Sequence, residues 1–190
     1  PAPVRQAFGS IWEPAERIRG YLERLPAGLL SLWLDQPRGH LVFTHLPSGY
    51  HPGLYTWRGR EFEGVCTICT ADLAQQPCTA LVAVGDLIDH LLGSGLETGG
   101  AWLADGLGLT EGLRELAPRL ARLRVLGYAT PHDITDTPRS YFSRAFALYL
   151  TDSAGLNVTD PLAYRFFHHA LLSDAWWRGM PGVDPGPLNS

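Results

Sequence analysis

The chain contains no lysine, a single methionine and only three cysteines among its 190 residues. All 15 basic residues are arginine, and the formal net charge is -4 at pH 7. This balance argues against the basic surface that is typical of nucleic-acid-binding proteins. The longest apolar run, residues 81–92, is interrupted by Gly85, Asp86, Asp89 and His90, and it is shorter than the roughly 20 residues that a membrane-spanning helix needs. We therefore expect neither a nucleic acid partner nor a membrane span.

The three cysteines are too few for a disulfide scaffold. Cys66 and Cys69 form a Cys-x-x-Cys segment, with Cys78 nearby. A structural zinc site needs four ligands, and residues three apart on a strand face opposite sides of the sheet. Buried core cysteines are thus the main interpretation, and a redox or metal role is the alternative. The low cysteine content and the absence of a leader favour a reducing, cytoplasmic compartment. Because the chain starts without methionine, we expect it to be part of a larger polypeptide.

Hydrophobic residues make up 45% of the chain and charged residues 18%, which is the balance of a folded domain rather than a disordered one. The order of predicted elements is a helix, a small sheet and then helices, an α+β pattern. We expect one domain over residues 1–178 and a flexible tail, rich in proline and glycine, over 179–190. The periodicity predicts helices over 15–25, 79–92, 110–122, 138–150 and 161–177, strands over 29–34, 40–46, 54–57 and 65–70, and a loop over 48–53.

One predicted helix carries a pair of polar residues with metal-ligand spacing. Asp86 and His90 lie four residues apart and therefore on one face. Two ligands at that spacing, with a third from another helix, form the usual catalytic zinc site. A glutamate beside the first ligand acts as the general base in such sites, but here Leu87 holds that position and cannot transfer a proton. An isolated pair of this kind is more often a capped or solvated helix face.

The segment 86–93 and the later helix 138–150 together resemble the anthrax lethal factor-like zinc metallopeptidases, a zincin family. In that family a strand pair precedes a His-Glu-x-x-His helix. A later helix of the form Glu-(Phe/Tyr)-Phe-Ala-Glu-Ala-Phe provides the third zinc ligand and a supporting glutamate. Residues 140–146, Ser-Tyr-Phe-Ser-Arg-Ala-Phe, match that form at the apolar positions. The resemblance covers roughly residues 40–175 and implies a zincin-like fold.

The resemblance also implies a degenerate site. In the first helix, Asp86 stands for the first histidine, Leu87 for the general base and His90 for the second histidine. A tyrosine in the loop corresponds to Tyr128. In the later helix, Ser140 stands for the third ligand and Arg144 for the supporting glutamate. One imidazole and one carboxylate bind zinc weakly. We therefore expect a catalytically inactive domain without a resident cofactor, which acts as a binding or scaffold module for a protein or peptide.

Three further hypotheses concern the same residues. The opposite charges of Asp86 and Arg144 suggest an ion pair in the space of the lost metal, with Asp89 as a further acceptor; otherwise Arg144 faces solvent. An alternative function is a metal-dependent hydrolase with a remodelled zinc site. Its ligands would be Asp86, His90 and a loop residue such as His132 or Asp133. The last alternative is an unrelated α+β domain, which is tested by whether the two helices lie side by side with Ser140 near His90.

Overall fold

The computed structural model describes residues 8–126 and 137–180 and has α+β architecture. Tyr128, His132, Asp133 and the tail after Met180 lie outside the described residues. The strands are β1 (His40–Thr44), β2 (Gly49–Trp57) and β3 (Arg60–Cys69). The helices are α1 (Glu13–Leu22), α2 (Ala27–Leu34), α3 (Thr70–Gln75), α4 (Pro77–Ser94), α5 (Glu111–Leu126), α6 (Pro138–Thr151), α7 (Ser153–Thr159), α8 (Pro161–Phe166) and α9 (Asp174–Arg178), with a 3-10 turn at Leu103–Asp105 and a π-helical turn at Phe167–Leu171.

Within the described residues the last strand, β3, lies at the centre of the sheet. β1 pairs with β3 in parallel and β2 pairs with it antiparallel, so the strand order is β1-β3-β2. The register of β2 shifts between His51 and Leu54, where Pro52 interrupts the strand. Proline cannot donate a ladder hydrogen bond, and this position at the edge of the sheet avoids that loss. Opposite the bulge, Gly64 adopts a φ of 64°, which favours glycine.

The strand predicted over residues 29–34 is wrong, because these residues belong to α2. The run Leu-Leu-Ser-Leu-Trp-Leu is too short and too apolar for periodicity to distinguish a helix from a strand. In the helix, Leu29 and Trp33 lie four residues apart on the buried face, while Leu34 is exposed. The indole of Trp33 donates to the carbonyl of Gly39, which ties α2 to the start of β1.

Two other predicted segments differ from the structure. The predicted loop over 48–53 is mostly the first part of β2, which begins at Gly49. The long final helix is divided into α8, the π-helical turn and α9. The division allows the indole of the buried Trp177 to donate to the carbonyl of Leu171 at 2.7 Å, a contact that a continuous helix would not make.

Helix α4 lies at the centre of the core and packs against β2, β3 and α6. Most of its residues from Ala80 to Gly93 are buried, including the polar side chains of Asp89 and His90. No helix within the two described ranges is both long and apolar enough to cross a membrane. The side chains of Asp89 and His90 are fully buried on this helix, so their polar atoms depend on partners within the protein.

Candidate functional site

Helices α4 and α6 lie side by side and touch at Gly85. A Cβ at this position would lie 2.7 Å from the Cα of Ser143 and 2.8 Å from its carbonyl oxygen. Any side chain here would force the two backbones apart, so glycine permits the contact. The backbone of α4 at Gly85 therefore packs directly against the backbone of α6 at Ser143.

Next to this contact, Asp86 of α4 hydrogen-bonds with the buried hydroxyl of Ser143. The same hydroxyl lies 2.9 Å from the backbone carbonyl of Arg139. Burial raises the pKa of Asp86, although the bond from Ser143 and the charge of Arg139 oppose the shift. A hydroxyl carries one hydrogen. The Ser143 hydroxyl therefore shares its one hydrogen between two acceptors, the carboxylate of Asp86 and the carbonyl of Arg139.

His90 is fully buried, and its Nδ1 lies 2.7 Å from the hydroxyl of Tyr50 on β2. Its Nε2 has no hydrogen-bond partner of normal geometry among the described residues. The backbone of Glu97 favours the protonated ring and so acts to raise the pKa of His90. Burial outweighs that effect and lowers the pKa of His90. Burial also raises the pKa of Tyr50. At neutral pH the contact therefore joins a neutral imidazole to a protonated phenol.

Asp89 is fully buried between α4 and the 3-10 turn. Its Oδ1 accepts a hydrogen bond from the backbone N–H of Ala104 at 2.7 Å, while Oδ2 has no partner among the described residues. Burial raises the pKa of Asp89 to about 8, with the nearby carboxylates of Asp105 and Asp86 adding to the shift. The side chain is therefore mainly neutral at pH 7, which avoids an uncompensated buried charge.

Trp102 connects these groups to α6. Its ring stacks on His90 with centroids 4.9 Å apart and planes 20° apart. The guanidinium of Arg139 lies 4.2 Å from the indole centroid and pairs with Asp105 at 2.5 Å. Gly93 allows the segment to approach α4, because a Cβ there would lie 2.5 Å from the Cα of Trp102. The 3-10 turn is thus fixed between the two helices by stacking and one ion pair.

The resemblance predicts that Ser140 and Arg144 of α6 face α4. In the structure the residues on that face are one position earlier, Arg139 and Ser143. Ser140 forms a capping box with Thr137 at the start of the helix. Arg144 is exposed and lines a small cavity with Leu148 and Asp160. The ion pair predicted between Asp86 and Arg144 is wrong, because Asp86 is bonded to Ser143 instead. A one-residue step turns a side chain by about 100° around a helix, and Arg139 and Ser143 therefore occupy the face toward α4.

The remaining predicted residues are placed as follows. Leu87, at the general-base position, is fully buried in the core. Cys66 and Cys69 are buried free thiols, which agrees with the core interpretation, and burial raises the pKa of Cys66. A thiol held in its protonated form is unreactive.

Within residues 8–126 and 137–180, no three His, Cys, Asp or Glu side chains converge on a point that could hold a metal ion. Of the two carried-over ligands, Asp86 contacts Ser143 and His90 contacts Tyr50 through Nδ1. A zinc site needs at least three side-chain ligands, and the described residues supply no third ligand beside these two.

Comparison with family models, curated proteins and solved structures found no match to this chain. The description of the site therefore depends on its own geometry. Five polar or aromatic residues of this cluster were not predicted as site residues from the sequence: Tyr50, Trp102, Asp105, Arg139 and Ser143. For Arg139 and Ser143, the sequence signal is their four-residue spacing. It places both on one face of α6, next to the buried aromatic positions of that helix.

Proposed function

We propose that this chain is a zincin-like domain without peptidase activity, which serves as a binding module. The arrangement of elements supports the fold part of the proposal. An antiparallel edge strand, β2, contacts the helix that carries Asp86 and His90, and a second helix lies alongside it. The lethal factor-like resemblance requires this arrangement of strand and helices.

The main observation that supports the proposed loss of activity is the Asp86–Ser143 contact beside Gly85. In a zincin, the space between these two helices holds the metal and its water. Here the backbones approach too closely to leave that space, and the general-base position holds the buried Leu87. Both features support the proposal, because hydrolysis by this route needs a metal-bound water and a group that removes its proton.

The first experiment is elemental analysis of protein purified without chelator, followed by a calorimetric zinc titration. We expect zinc well below one equivalent per chain and equal titrations for the wild type and an Asp86→Ala, His90→Ala variant. The measurement is paired with a casein digestion assay, in which we expect no activity that a chelator removes.

One equivalent of zinc that is lost in this double variant would contradict the proposal. That result would favour the metal-dependent hydrolase. A His132→Ala, Asp133→Ala variant would then show whether the loop supplies the missing ligands, because its zinc content should fall as well. The same pair of variants distinguishes a site at α4 from adventitious zinc on the surface, which neither variant would remove.

A further inference from the structure

A cleft of about 390 Å³ lies between α5 and α9, apart from the polar cluster of α4 and α6. One wall carries Glu115, Leu116 and Arg119 of α5, and the other carries Trp176 and Met180 at the end of the described chain. This volume falls within the range of natural ligand sites. The cleft combines an apolar surface with one charge of each sign.

The two charges are not paired with each other. Glu115 and Arg119 are spaced four residues apart on α5, where such side chains commonly form an ion pair. In the described part of the chain neither takes part in an ion pair or hydrogen bond, and both are exposed. The cleft therefore presents an acceptor and a donor that are both available to a ligand.

The spacing of these charges fits an extended peptide. Residues four apart on a helix have Cβ atoms about 5–6 Å apart. Alternate residues of an extended chain lie about 6.6 Å apart and point to the same side, while the residue between them points to the other. A peptide along the cleft would direct two charged side chains to α5 and the intervening side chain to the half-buried ring of Trp176.

We infer that the α5–α9 cleft binds an extended peptide segment in which an apolar residue lies between one basic and one acidic residue. The basic side chain pairs with Glu115 and the acidic one with Arg119. The apolar side chain packs on the half-buried ring of Trp176. This inference rests on the proposed function in that it supplies the binding module with a ligand class.

The experiment uses three capped tripeptides, Lys-Leu-Glu, Lys-Leu-Lys and Glu-Leu-Glu, titrated against the full chain by NMR. The readout is the indole N–H signal of Trp176, assigned with a Trp176→Phe variant. The indole of Trp177 donates to Leu171 within the core, so its signal provides an internal reference that should not move. We expect Lys-Leu-Glu to bind with a Kd on the order of 1 mM. Each mismatched charge should weaken binding about three- to fivefold.

Charge reversal makes the test specific. Arg119→Glu gives α5 two carboxylates at the cleft, and Lys-Leu-Lys should then become the best ligand. Glu115→Arg gives α5 two guanidinium groups at the cleft, so Glu-Leu-Glu should become the best ligand. Arg122→Glu is the matched control, because Arg122 is exposed on the same helix and does not line the cleft. This control should leave the preference of the wild type unchanged.

Equal binding of the three peptides, no binding at millimolar concentration, or the same preference in both reversed variants would overturn the inference. A concentration-dependent dimer that Arg119→Glu dissociates would also overturn it, because a second copy would then be the occupant. None of these outcomes bears on zinc. Failure here is therefore distinguishable from failure of the proposed function, which the elemental analysis tests separately.

Discussion

The α4–α6 contact and the α5–α9 cleft differ in how their charged groups are satisfied. On α4, the carboxyl of Asp86 is held by a hydroxyl of α6 and that of Asp89 by a backbone amide of the 3-10 turn, and burial raises the pKa of both. In the cleft, Glu115 and Arg119 are exposed and have no partner among the described residues. The carboxyls near the motif thus each have a hydrogen-bond partner within the protein, whereas the two charges without one lie on α5.

The largest expected effect comes from restoring the general base. Leu87→Glu would place a carboxyl in the core, where no described group is positioned to compensate it. We expect the free energy of unfolding to fall by about 3–5 kcal/mol, measured by urea denaturation. Leu87→Met, which nearly conserves volume, should cost less than about 1.5 kcal/mol. A stable Glu variant that binds zinc would show that this region is open.

The second prediction concerns the proton on Asp89. Its folded pKa of about 8 exceeds the ordinary value of 3.8. The resulting stabilisation is therefore complete below about pH 4 and is lost as pH rises through 8. Relative to Asp89→Asn, the wild type should lose roughly 1 kcal/mol per pH unit between pH 5 and 8. Parallel stability curves for the two proteins, measured by urea denaturation at each pH, would contradict this.

The third prediction tests the contact between the helices. Gly85→Ala places a methyl group 2.7 Å from the Cα of Ser143, which is backbone and cannot rotate away. We expect a cost of about 1–3 kcal/mol, measured by thermal and urea unfolding. Gly20→Ala in α1 is the control, because nothing lies within 4 Å of its Cβ position. That variant should be more stable than the wild type by about 0.5–1 kcal/mol.

The fourth prediction isolates the Tyr50–His90 hydrogen bond. Tyr50→Phe keeps the ring but leaves Nδ1 of His90 buried without its partner, so we expect a loss of about 1–2 kcal/mol. The pKa of His90, followed by NMR, should stay below its ordinary value because burial is the main cause of the shift. A return to the ordinary pKa would mean that the phenol, and not burial, keeps the ring neutral.

The smallest effect is expected in the cleft. Arg119→Glu should change the free energy of unfolding by less than about 0.5 kcal/mol, because Arg119 is exposed and makes no ion pair in the described part of the chain. Chemical denaturation of this variant and of Arg122→Glu should give equal midpoints. A larger loss for Arg119→Glu alone would mean that this side chain stabilises the fold, and the contrast between the two regions would weaken.

The sequence predicts the α+β architecture because strands β1 and β3 and helices α4 and α6 carry clear local signals. Pro138, for example, lies in the first turn of α6. The sequence does not predict α2, because an apolar run of six residues fits either secondary structure. It also does not predict that Ser143 replaces Ser140 at the helix contact, since that depends on the rotation of α6 about its axis. Tertiary packing at Gly85 determines this rotation, and one local sequence cannot show it.

The position of β3 determines the order in which the sheet can assemble during synthesis. β1 and β2 leave the ribosome first, but neither pairs with the other in the native sheet. Both must wait for β3, which joins β2 as a hairpin through the turn at Arg58 and Gly59 and then accepts β1 on its other edge. Until β3 is available, neither strand has its native pairing partner. Pro52 removes one backbone donor from β2 during that interval and so makes it a poorer template for intermolecular pairing.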